Sequence, residues 1–499
     1  MFNQGILIYL NDKNIILIKI KAYYKYMENS KINENNLLYD KSLVIVRMEK
    51  PEIVAFRSLG SSFFNNMIMI CFRLITTINL ILLGHTLYKG KVQYQLFMTF
   101  QLGVFILEIL GKYFIIGLIK YVFGEKKEMQ ILYNLFIQLK TALIFLIPIF
   151  TIPVSICSYY IIEIIYKNIF QMNDLSILNE VYKKYLLFTP IIYFFEILFL
   201  LNLKFLNTLN RIKDVFLFIV TYLICHVLLY LILLFLFDFS IFGLTISYGI
   251  NSIFFFFCTD LRIYNIVRND AQNYFFIIPN RNNFEWEIMT NLYKIIFYSL
   301  YNLSEVFVNH FIFFVGIFLG KEQLITNILY LNFFELIIEL NRGFYYSIKR
   351  DINNKVEDAN DLQKYITIFS TYYLLLNLPI FITLLIFKNL LLNIYIYKGG
   401  ELALKNLAER LRIIYSLCIM AMAGKIILSG IIRVMEKPMS IVRKIVYIII
   451  CMFCCCVLCF INNFGIHGLW ISMLIHKLLH IIENLNKVIR YFPCCSTEN

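Results

Sequence analysis

From residue 59 onward, apolar residues come in long runs, not in the alternating pattern of half-buried strands or the one-sided pattern of soluble amphipathic helices. The runs fall at roughly 59–84, 93–122, 131–165, 183–203, 214–237, 240–261, 288–319, 322–346, 365–390, 404–432, 440–461 and 466–486. A helix needs about 20 apolar residues to cross a hydrocarbon core roughly 30 Å thick. It also satisfies its own backbone N–H and C=O groups, as any segment surrounded by lipid must. The pattern predicts an all-α fold, a polytopic membrane protein with about twelve transmembrane helices.

Residues 1–52 read differently. Lys13, Lys19, Lys21, Lys25, Lys31, Lys41, Arg47 and Lys50 interrupt every apolar stretch, and no apolar core with a small-residue cleavage site follows them. A basic cytosolic extension without a signal peptide is expected. Between the later runs, Lys and Arg collect on alternate loops: Lys126 and Lys127; Lys204, Arg211 and Lys213; Arg262, Arg268 and Arg281; Arg342, Lys349, Arg350 and Lys355; Arg433, Lys437, Arg443 and Lys444. The intervening loops are poorer in both, 388–412 excepted, so the positive-inside rule puts both termini in the cytosol. The longest polar stretch in mid-chain, Arg262 to Glu287, divides the runs into two sets of six. The expected organisation is an extension (1–52), an N-lobe (53–268), a cytosolic inter-lobe loop (269–287), a C-lobe (288–490) and a cytosolic tail (491–499).

Composition narrows the class. Of 499 residues, 60% are hydrophobic and 16% charged, against about 25% charged in soluble domains, which excludes an ordinary soluble enzyme. The net charge of +14 is spread over short loop clusters with no continuous basic patch, so the expected partner is the lipid bilayer and not nucleic acid. Most of the twelve cysteines, Cys451, Cys454, Cys455, Cys456 and Cys459 among them, lie inside apolar runs and read as small apolar helix residues. No metal site is expected from them or from His476, His480 and Glu483, because one helix cannot place enough ligands around an ion. The chain has no Gly-rich phosphate loop ending in Lys-Ser or Lys-Thr, and no His-Glu-x-x-His or Gly-x-Ser-x-Gly pattern. Neither ATP drive within this chain nor hydrolysis is expected, nor any cofactor.

The two halves echo each other. Phe239-Ser240-Ile241-Phe242-Gly243-Leu244-Thr245-Ile246-Ser247 opens the sixth run, and Phe464-Gly465-Ile466-His467-Gly468-Leu469-Trp470-Ile471-Ser472 opens the twelfth, with Phe, Ile, Gly, Leu, Ile and Ser in register. Two related six-helix lobes suit a transporter, which places its substrate cavity where the repeats face each other.

Four local patterns resemble the multidrug and toxic compound extrusion (MATE) transporters of the multidrug/oligosaccharidyl-lipid/polysaccharide exporter superfamily. Leu82-Leu83-Gly84-His85 closes the first run as a Gly-His pair does in eukaryotic members. Gly117 to Phe123-Gly124-Glu125-Lys126 is similar to the family's segment ending in Ala-Phe-Gly-Ala. Leu428-Ser429-Gly430-Ile431-Ile432-Arg433 with Glu436-Lys437-Pro438 resembles the end of the family's tenth helix, and Phe464-Gly465-Ile466-His467-Gly468-Leu469-Trp470-Ile471 the start of its twelfth. The match covers roughly residues 55–490. It departs from the family after the eighth run, where Ser347-Ile348-Lys349-Arg350-Asp351-Ile352 replaces the usual Val-Gly-Asn-x-Leu-Gly.

Ionisable groups within a span are costly and are candidates for function. Glu305, near the middle of the seventh run, stands within a residue of the first Glu of the family's Glu-Trp-Trp-x-x-Glu, and Asn309 stands near the second, which this chain lacks. The resemblance implies a monomeric secondary active antiporter that exports organic solutes or xenobiotics by alternating access, H+ or Na+ being the coupling ion and a small organic cation the substrate. Arg73, Glu108 and Lys425 complete the expected cavity set. Arg73 and Glu108 are expected to bridge adjacent helices, with Glu196, Glu335 and Glu339 as further buried charges. Lys425 favours anions, so a flippase for a lipid-linked oligosaccharide is the alternative, and a membrane-embedded enzyme is a more distant one. The membrane is the plasma membrane or an endomembrane such as the vacuole.

Overall fold

The computed structural model describes residues 9–10, 15–16, 67–85 apart from 69 and 72, 91–108, 119, 129–171, 175–209, 211–237, 241–268, 274–279, 308–353, 359–387, 389–396, 402–434 and 441–491. Contacts divide the chain into Met1–Arg57 and Ser58–Asn499. In the first unit β1 (Tyr9–Leu10) and β2 (Ile15–Ile16) pair antiparallel with Tyr9 opposite Ile16.

The described residues of the second unit are mostly helical, the stretch 274–279 being irregular. In order come α1 (Arg73–His85), α2 (Lys91–Leu107), α3 (Met129–Ile164), α4 (Ser176–Val181), α5 (Thr189–Thr208), α6 (Ile212–Phe237) and α7 (Ile241–Val267). The second half supplies α8 (Val308–Ile317), α9 (Lys321–Asn353), α10 (Ala359–Ile386), α11 (Leu390–Tyr395), α12 (Leu402–Val434), α13 (Ile441–Cys456) and α14 (Ile466–Tyr491). Seven described helices are long and apolar enough to cross a membrane, so the chain is a polytopic all-α membrane protein. Several helices outrun their apolar stretches. Lys204 and Arg262, read above as loop residues, lie on α5 and α7, because a long basic side chain at a helix end can reach toward water while its backbone stays helical.

Helix packing follows the same order in both halves. In the first, α7 packs on α5 and α6, with α3 against α5. In the second, α14 packs on α12 and α13, with α9 and α10 against α12. Large apolar side chains such as Phe235, Leu236, Phe453 and Ile461 stay exposed on α6 and at the end of α13, as a lipid-facing surface requires. Breaks in the helices are repaired locally. Pro190 has no N–H to offer the carbonyl of Leu186, and the Ser155 hydroxyl of α3 donates to that carbonyl instead, at 2.5 Å. Gly465 takes a positive φ of 53° just before α14, and the Ile466 N–H that it exposes donates to Oε1 of Gln323 on α9, at 2.8 Å.

Candidate functional site

Arg73, Thr76 and Leu80 share one face of α1 by their spacing, and that face meets the end of α2. The Thr76 hydroxyl donates to Glu108 Oε1 at 3.0 Å, and Arg73 Nη1 donates to Glu108 Oε2 at 3.3 Å. The bridge expected between adjacent helices is present. The guanidinium also does something the sequence did not indicate: its Nη2 lies 2.8 Å from Glu335 Oε2 on α9, in the other half of the molecule. The planar fork of an arginine suits two carboxylates at once. Among the described residues, one guanidinium is thus shared by a carboxylate from each half. Farther along α9, Glu339 is ion-paired with Arg342, and Lys204 of α5 lies within electrostatic reach of Glu339.

Beside Glu108 is a cavity of about 10 Å³ lined by Thr76, Asn79, Phe100, Tyr185, Tyr193 and Tyr248, among others, room for about one water molecule. Its wall is a buried polar network. His226 Nε2 donates to Asn79 Oδ1 at 2.6 Å, and the Ser247 hydroxyl reaches His226 Nδ1 at 3.5 Å. Glu196, fully buried on α5, acts electrostatically on Tyr185, Tyr193, Tyr222 and Tyr248. A space of this size holds water or a bare ion, not an organic substrate.

A second buried ion pair escaped the sequence reading. Lys140 Nζ donates to both carboxylate oxygens of Asp260, at 2.7 and 2.9 Å, and to the Phe275 carbonyl at 2.8 Å. Neither side chain is exposed. Asn202 donates to Asp260 Oδ1 at 3.2 Å, the Tyr274 hydroxyl donates to the Asp260 carbonyl at 2.9 Å, and the Tyr274 ring lies 4.9 Å from the ammonium. Opposite charges at comparable depths in the third and sixth runs were the available signal. Each taken alone resembles a charge that snorkels to the nearby cytosolic surface.

In the second half, Cys418 Sγ donates to the Trp470 carbonyl at 3.2 Å, and Asn484 Nδ2 to Ser429 Oγ at 3.2 Å. These two contacts make α12 and α14 parallel and fix their register. Lys425 and Lys477 each lie two turns beyond the first contact, so the two lysines stand at one level, with His480 a turn further on. All are buried, as is His476, whose Nδ1 makes no hydrogen bond among the described residues. The His476 and His480 rings are 4.7 Å apart. Lys425 therefore belongs to a basic cluster that three residues of α14 complete.

The other expected positions fall as follows. Asn309 is buried on α8, and its Oδ1 accepts no hydrogen bond among the described residues. Next to it His310 meets the Phe105 ring of α2 at 5.4 Å, and Phe105 stacks on Phe313, so the halves touch here too. Gly84 is buried and His85 exposed, with His85 Nε2 donating to the Ile394 carbonyl of α11 at 2.8 Å. Gly430 is buried on α12; Arg433 is on that helix, with its side chain outside the described residues. Gly468 lets α14 approach the turn after α13 so closely that an added Cβ would stand 2.9 Å from the Leu458 carbonyl carbon and 3.0 Å from the Cys459 nitrogen. Trp470 is fully buried against Tyr415, Phe334 and Tyr330. Glu305 and Gly124 lie outside the described residues.

The fold is that of the MATE transporters. The eukaryotic MATE transporter AtDTX14 superposes with a TM-score of 0.65 at 13% identity, over 88% of this chain and 96% of that one. A multidrug resistance MATE family transporter of the MOP superfamily in an outward-facing conformation gives 0.58 at 13% identity, over 90% and 98%. A MOP superfamily transporter from Pyrococcus furiosus, whose binding pocket is described as of reverse polarity suggesting a different function, gives 0.55 at 13% identity, over 89% and 96%. No protein-family model matches the sequence, and no curated protein matches it.

Proposed function

We propose that the protein is a secondary active transporter that exports small organic solutes in exchange for H+ or Na+, its two halves alternately opening the space between them to either side. The observation that carries this reading is the ion pair at 2.8 Å between Arg73 and Glu335, which joins the halves of a MATE-type fold at a buried charged centre. Ionisable groups in that position are costly to keep unless they serve transport. Glu305 is the proposed coupling carboxylate of the C-lobe, with Asn309 beside it. In this orientation both termini are cytosolic, and the His85 end of α1 faces away from the cytosol.

A second substrate class has its own support. Lys425 and Lys477, with His476 and His480 beside them, place two buried lysines in the interior of the second half, which favours the anionic part of a substrate such as a lipid-linked sugar phosphate. The pocket polarity described for the Pyrococcus furiosus transporter is a precedent within the same fold.

Uptake of a fluorescent organic cation into vesicles carrying the purified protein, with an imposed pH or sodium gradient, tests the first reading. Gradient-driven uptake is expected, and Glu305→Gln should abolish it while leaving the folded yield intact. Uptake unchanged in the variant sinks the role of Glu305. No uptake by folded protein, together with binding of an anionic lipid-linked sugar that Lys425→Met and Lys477→Met weaken, moves the function to the second class.

A further inference from the structure

Two carboxylates from opposite halves share one guanidinium, and the three groups are not equivalent. Glu108 is also held by Thr76 from its own half, at 3.0 Å, whereas Arg73 and Glu335 make the shorter charged contact, 2.8 Å, across the junction. We propose that Glu335 is a proton-binding site that locks and unlocks the two halves, a role that rests on the transport reading but is tested without it.

With Glu335 ionised, Arg73 bonds both carboxylates and the halves are held together. A proton arriving from water adds to the Glu335 carboxylate and removes its charge. Arg73 keeps Glu108, the attraction across the junction falls to that of a neutral hydrogen bond, and α1 is free to part from α9. The groups that face this contact are consistent with such a switch. Arg73 comes from α1 and Glu108 from α2, while Glu339 and its partner Arg342 lie on α9 itself. His310 of α8 lies within electrostatic reach of Arg73, and Lys204 of α5 within reach of Glu339. α12 turns Tyr415 and Arg412 toward Tyr330, more than a helical turn away, and α10 offers the uncharged Asn377 to Asn341. Further described contacts between the halves include Thr77 with Tyr395, His85 to the Ile394 carbonyl, Phe105 on Phe313 and Lys321 over the Phe170 ring; the first three lie on the His85 side of Arg73, so loosening of the junction is read at that end.

Hydrogen exchange of the full-length protein in lipid nanodiscs, corrected for the intrinsic pH dependence of exchange, reads the lock without any transported substrate. In the wild type, lowering the pH should speed exchange in the peptides covering 76–85 and 390–396 by about tenfold or more, the change made by a bias of 1.4 kcal/mol. Glu335→Gln should exchange at the fast rate at both pH values, and Glu108→Gln should keep the wild-type response. A wild type without a pH response overturns the proposal, and that test survives even if Glu335→Gln does not fold. A response that persists in Glu335→Gln, or is lost equally in Glu108→Gln, also overturns it. A pH-driven opening in a protein that moves no solute would sink the transport reading while leaving the lock in place.

Discussion

The two halves have the same helix order and opposite interiors. In the first, one fully buried ion pair closes within the half: Lys140 gives all three of its N–H groups to Asp260 and the Phe275 carbonyl. In the second, Lys425, His476, Lys477 and His480 gather at one level of α12 and α14, and the prominent acid on α14, Glu483, pairs with Arg443 and Lys487 near the helix end. The difference shows that a shared backbone arrangement does not fix polarity. Packing of parallel helices needs only small residues and register at the contact, which leaves the charge of each buried position to be set by what that half must hold.

The sharpest break in this comparison comes from Lys140→Met, which leaves the Asp260 carboxylate buried without its cation. A loss of about 3–5 kcal/mol is expected, read as a large fall in thermal midpoint and folded yield in detergent. Lys140→Met combined with Asp260→Asn should recover part of that loss, and a single variant as stable as the wild type would show that the first half does not depend on its closed pair. In the second half, stability is expected to rest on close approach: Gly468→Val drives a side chain into the backbone at Leu458 and Cys459, at a cost of about 1–3 kcal/mol. The smallest effect belongs to the rim of the second half. Arg443 is 60% exposed and sits 2.9 Å from Glu483, so Arg443→Gln should change the thermal midpoint by the equivalent of less than about 1 kcal/mol. A larger loss there would mean that this pair supports the second half more than its exposure indicates.

Much was legible in the chain alone because lipid imposes a one-dimensional rule. Apolar spans and the basic clusters between them follow from hydropathy and length, and the echo between 239–247 and 464–472 from comparing the chain with itself, without knowledge of which helices touch. The pairing of Arg73 with Glu108 was legible for the same reason, since consecutive helices joined by a short loop are neighbours. Gly468 and Trp470 stood in a pattern that resembles the start of the family's twelfth helix; how closely that start approaches its neighbour was not in the pattern.

What the sequence could not determine was which distant positions meet. Arg73 and Glu335 are separated by most of the chain, and only the docking of the halves makes one guanidinium serve both. Lys140 and Asp260 each sit near a membrane surface, where a lone charge can reach water, and only tertiary packing closes the pair off from it. Lys425 is a single awkward lysine until the contacts at Cys418 and Ser429 set α12 against α14 and bring Lys477 to its level. The hydrophobic effect and backbone hydrogen bonding act on every residue locally and so are written along the chain. Buried charge is balanced only by partners in three dimensions, and its meaning was decided by the fold.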